Sequence, residues 1–183
     1  MKRFSTLVLC IAAVLLVGTS SGSAWAQDGL QVTAAASHVT QNFDSMWDAG
    51  SQAATLDMPQ GWRVERQMTA PRTIGSYTNA ATQVMYTGGT SLASNAKNGT
   101  WNFASSSEPS DCSVGGLSTT VDGGTRCINV MTCLHNAGEE AITKLTLYYD
   151  IEKYRDGDNA AGFAVQLYVS TDGVTWNNAG EDF

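Results

Sequence analysis

Histidine and positive charge are scarce in this chain, and long apolar runs nearly absent. Only His38 and His135 occur in 183 residues. Neither sits in a motif that would supply a catalytic base, so a Ser-His-Asp device has no support. No nucleotide-binding loop, zinc-protease helix or nucleophile elbow is present either. Ten Lys and Arg stand against 17 Asp and Glu, with no basic cluster, which repels a phosphate backbone and argues against nucleic acid as a partner. Helical periodicity is missing as well. After Val17 no stretch approaches the roughly 20 apolar residues that a helix needs to cross a bilayer.

The one apolar run is at the start. Lys2 and Arg3 precede Leu7 to Val17, and "SAWA" puts the small Ala24 and Ala26 where a signal peptidase reads. A cleaved signal peptide over 1–26 is expected, giving an exported protein with no membrane span after cleavage. Leu9 stands where a lipoprotein signal would need a small residue before Cys10. Cleavage removes Lys2 and Arg3, leaving eight basic residues against the 17 acidic and 157 of the 183 residues, one domain's worth. Residues 27–37 are small and polar and read as a flexible lead-in to a domain over 38–183.

Period-two alternation dominates that domain. In 141–154, Leu145, Leu147, Tyr149 and Ile151 alternate with Lys144, Thr146, Asp150 and Glu152, and in 162–170 Phe163, Val165, Leu167 and Val169 repeat the pattern. A hairpin between them places Tyr148 opposite Tyr168 and Asp150 opposite Gln166. Further strands are expected at 38–44, 62–66, 82–87, 99–104, 113–121 and 125–134, with a last short one around Val174 to Trp176. Gly, Asn, Asp and Ser clusters separate them. The fold class is therefore all-β: a two-sheet antiparallel β-sandwich, jelly-roll-like.

An exported chain is oxidised, which makes Cys112, Cys127 and Cys133 disulfide candidates. Cys127 and Cys133 share one strand roughly 20 Å apart at about 3.3 Å per residue, too far to pair. An Asp122-Gly123 hairpin turn puts Cys112 opposite Cys133, the preferred bridge, with Cys112 to Cys127 as the alternative. Closing that loop of about 20 residues would contribute about 3 kcal/mol. With His135 the three thiols are also zinc-ligand types, but the spacing lacks a CxxC knuckle.

The acidic cluster after the 145–151 strand contains Asp156, Asp158 and Asn159, oxygen donors for a structural calcium ion. It lacks the ordered array of an EF-hand, and the plainer reading is a solvated turn. No other cofactor is indicated. Tyr148 and Tyr168, flanked by Asp150, Gln166 and Lys144, form a candidate platform for sugar rings. The plainer reading is an aromatic pair that joins two strands.

Several fragments in order resemble a β-sandwich module found at the N-terminal end of large exported bacterial proteins. "NFDSM" and "LDMPQGW" are similar to its opening phrase, Phe-Asp/Asn-Ser-Leu then Leu-Pro-x-Gly-Trp. "GTWNFASSSEPSDCSVGGLST" resembles its Gly-x-Tyr-Asn-Phe-Gly-Ser segment and the strand after it, with Cys112 in the place of an Arg. "NAGEEAITKLTLYYDIEKYRDG" resembles its long strand and Gly-Glu-x-Trp-Arg terminus, with Ile151 for Gly and Tyr154 for Trp. "YVSTDGVTW" is similar to a hairpin of discoidin-like modules. The resemblance implies that Glu152 and Arg155 brace a strand end. It also implies that the module continues beyond Phe183, so that the domain is incomplete. The expected function is non-catalytic: an exported module that binds glycans or makes contacts with other surface proteins. The alternative is the accessory front of an extracellular hydrolase.

Overall fold

The computed structural model describes the backbone of residues 7–14 and the full residues 29–34, 38–46, 55–68, 73–89, 96–104, 111–119, 122–152, 154 and 164–179. Eleven strands form among them: β1 (Leu7–Val14), β2 (Leu30–Val32), β3 (Leu56–Asp57), β4 (Trp62–Gln67), β5 (Gln83–Val84), β6 (Tyr86–Gly89), β7 (Gly99–Ala104), β8 (Cys112–Leu117), β9 (Cys127–Asn136), β10 (Gln166–Ser170) and β11 (Asn177–Asn178). Short 3-10 turns stand at Asp44–Met46 and Tyr77–Asn79. The fold is all-β and sandwich-like.

The larger sheet runs β11-β10-β1-β9-β2, with β4 also on β9. Every residue of β9 from Cys127 to Leu134 is buried, because the strand is paired on both edges and covered on both faces. Its even-numbered side chains Ile128 and Val130 join Val64 of β4, Val84, Met46, Met58 and Val114 of β8 in the main core. Val114 belongs to the second sheet, β6-β7-β8, so this core is the interior between two sheets. Its odd-numbered side chains Cys127, Met131 and Cys133 pack on the opposite face against Tyr77 and Ala80, with Ile74, Tyr168 and Trp176 at the margin. Alternation (period two) thus feeds two separate clusters.

Glycine at 116 leaves room for Ile128 of the facing sheet. A Cβ on Gly116 would lie 2.4 Å from Ile128 Cγ1 and 2.5 Å from the Gly99 carbonyl oxygen. At the entry to β4, Trp62 N donates to Pro59 O at 3.0 Å, and Gly61 takes φ +79°, the conformation a type II turn requires at its third position.

Three expectations are corrected. The ladders β4/β9, β7/β8, β10/β11 and β3/β5 are antiparallel, but β1, β2 and β6 enter parallel to their neighbours, so the sheets are mixed. Residues 38–44 form no strand, because the chain turns into the 3-10 turn at Asp44. The run 141–152 has no regular structure. The place beside β10 that it was expected to fill is held by β1, which pairs parallel with β10 and with β9.

The Cys112 to Cys133 disulfide is likewise corrected: Cys112, Cys127 and Cys133 are all buried thiols. The Asp122-Gly123 turn exists, with Gly123 at φ +72° and Arg126 donating to Asp122 at 3.0 Å. The strands it joins diverge, however. β8 pairs with β7 while β9 pairs in the other sheet, so Cys112 faces Ala104 and Cys133 lies beyond the main core.

Candidate functional site

The polar groups available for chemistry are largely engaged in holding the fold. Glu65 on β4 lies opposite Asn129 on β9, and its Oε2 accepts from Asn129 Nδ2 at 2.7 Å and from Gly75 N at 2.9 Å. Asn129 Nδ2 also donates to Thr73 O, and the Cys127 thiol donates to Asn129 Oδ1 at 3.3 Å. This brace ties the 73–81 segment to the outer face of the large sheet. Arg63 lies 4.8 Å above the Tyr77 ring, and Tyr77 donates its hydroxyl to Gly61 O.

A second carboxylate is spent at the hairpin between β10 and β11. Asp172 Oδ1 accepts from Val174 N at 2.8 Å, Thr175 N at 2.7 Å and Ser170 Oγ at 2.8 Å. These bonds, the two backbone donors first, hold its carboxyl well below the usual carboxylate range. Gly173 at φ +69° completes the turn, and Tyr77 N donates to its carbonyl. A third carboxylate, Asp44, accepts from Cys112 N at 2.9 Å. Burial, then the charges of Asp44, Asp111 and Glu152, push the Cys112 thiol up to about 11. A thiol so protonated is a poor nucleophile.

The outward face of the smaller sheet carries an aromatic row. Tyr86 and Trp101 have ring centroids 5.0 Å apart, Trp101 and Phe103 5.8 Å, and Phe103 and Tyr154 5.0 Å. Gly115 and Ser113, the small ladder partners of Trp101 and Phe103, leave room for the rings. Lys97 sits over Tyr86 at one end. At the other, Tyr154 donates its hydroxyl to Glu152. Burial, followed by that bond, raises the Tyr154 phenol above its ordinary range.

The tyrosines expected to form a platform are not brought together. Tyr168 in β10 is level with Cys10 of β1 and Asn178 of β11, and it packs on the outer-face cluster instead of standing clear of a core. Tyr148 lies in the irregular run with 91% of its surface exposed, between Leu145 at 43% and Ile151 at 40%. Asp150 is exposed beside it and Gln166 is half-buried at the start of β10. Arg155, Asp156, Asp158 and Asn159, and with them the Glu152–Arg155 brace and the calcium candidates, lie outside the described residues. Among the described residues no three His, Cys, Asp or Glu side chains gather as a metal site, and no helix is long and apolar enough to cross a membrane.

Sequence reasoning missed the Glu65–Asn129–Gly75 brace. Its one visible signal is Asn129 itself, a polar residue amid the apolar strand "CINVMTC". Comparison of the chain with protein-family models, curated proteins and solved structures gives no match.

Proposed function

We propose that this chain is a non-catalytic exported β-sandwich module whose contact surface for glycans or other surface proteins centres on Tyr148. The observation that carries this reading is the exposure of Tyr148, with Asp150 two residues further on also exposed. A large amphipathic ring next to a carboxylate is the pairing that stacks on a sugar face while fixing a hydroxyl. The spent carboxylates favour binding over catalysis: Glu65, Asp44 and Asp172 each satisfy backbone or amide donors of the fold. The leader sequence supports export. A glycan array comparing the wild-type protein with Tyr148→Ala tests the proposal. Signals should fall at least about tenfold on the loss of one stacking ring and its neighbouring hydrogen bond. Equal binding by the variant would remove Tyr148 from the site.

A further inference from the structure

We infer that the slot between β9 and β10 is a strand-exchange site, held by the leader strand β1 before cleavage and taken by residues 143–152 of the same chain after it. The inference rests on the export reading above and not on the exposed Tyr148 surface, which the exchange would move to the level of Met131 and Tyr168.

The register carries it. Leu9 pairs with Val130 on one side and Leu167 on the other, and Ile11 with Thr132 and Val169. β9 and β10 therefore run parallel with one strand's width between them. The chain that connects them in sequence contains the alternating run 143–152. A strand lying between its own two sequence neighbours runs antiparallel to both, as a meander, and needs only short turns. If Tyr148 stands opposite Tyr168, then Tyr149 falls between Val130 and Leu167, and Leu147 between Thr132 and Val169. Ile151 then reaches the level of Ile128 and of Val165, both fully buried.

The same register sets Asn136 opposite Thr143 and leaves Glu139 and Glu140 as a two-residue turn, the shortest connection an antiparallel pair uses. The apolar alternation of Leu145, Leu147, Tyr149 and Ile151 matches the main-core side of the slot, the side of Ile128 and Val130. Outside the slot Leu145 and Ile151 are exposed.

The leader suits the slot for a different reason. "LVLCIAAV" is apolar at every position, as strands in parallel pairing covered on both faces are. Exchange replaces two parallel ladders by two antiparallel ones, which are slightly the more stable per residue. Cleavage behind Ala26 leaves β2 in place on β9 and detaches β1 alone. Tyr148 then lies beside Tyr168, and Asp150 beside Gln166.

Hydrogen exchange measured on the intact chain, and again after signal peptidase has cut behind Ala26, tests the inference at the 145–151 amides. Exchange should be fast before the cut and about a hundredfold slower after it, in a monomer, as expected when a run outside regular structure joins a central ladder. Leu9→Pro in the uncut chain strips ladder bonds from β1 and should give the same slowing. Fast exchange in both the cut chain and the variant overturns the inference, as does protection already present in the intact chain. Slowing confined to a dimer fraction also overturns it, because a second copy's strand would then hold the slot. Mass measurement of the secreted protein judges the export reading separately. Retention of residues 1–26 sinks that reading and leaves the Leu9→Pro result to decide the exchange.

Discussion

Asp172 shows how much local order one side chain can impose. Its carboxylate takes three donors within the turn Ser170 to Thr175, and its pKa is depressed in the folded state. A depressed carboxylate contributes stability that is complete above its unfolded pKa and is lost as pH falls through the folded one. Acid titration of unfolding should therefore show a stabilising contribution on the neutral side that Asp172→Asn lacks, so the two proteins converge as pH falls below the carboxylate range. Parallel curves at all pH values would deny Asp172 that role. The residues of this turn were legible, because Asp-Gly is a favoured turn pair. The brace from Glu65 to Gly75 and Asn129 was not, since its partners lie 10 and 64 residues apart in sequence. Only the folded sheet brings them within 3 Å.

Strands reveal which sequence patterns survive tertiary competition. β4, β7 and β9 form where alternation or β-branched and aromatic residues announced them. The best-patterned stretch of all, 145–151, stays irregular because β1 already satisfies the hydrogen bonds of both prospective neighbours. Periodicity specifies a face and says nothing about who else wants the slot. The same limit misplaces Cys112: a turn stands at Asp122-Gly123, but the chain closes between Thr119 and Thr125 and its flanking strands enter different sheets, so no two-residue hairpin forms. Where the sheets meet, Gly116 has no room for a side chain. Gly116→Ala would drive a methyl group into Ile128 and the Gly99 carbonyl, and should cost about 1–3 kcal/mol as overpacking. Chemical denaturation should show a lower midpoint with an unchanged slope. An unaltered midpoint would mean that the sheets part easily here.

At the level of the whole molecule, stability derives from two hydrophobic clusters on opposite faces of one sheet, with no covalent staple among the described residues. The thermal midpoint of the protein should therefore be the same with and without reductant. A fall of several degrees on reduction would restore a disulfide to the account, since a loop of about 20 residues is worth about 3 kcal/mol when closed. All-β class and sandwich-like layering were readable from the many short alternating segments and frequent turns. The mixed pairing was not, because parallel and antiparallel ladders place side chains on the same alternating faces.

β9 has a neighbour along each edge and a lid over each side. Solvent can reach its amides only after the surrounding architecture has come apart, so it should be the molecule's slowest clock. Fraying at β11 or β3 would pass unnoticed there. Its rate of deuteration would then report global opening of the chain.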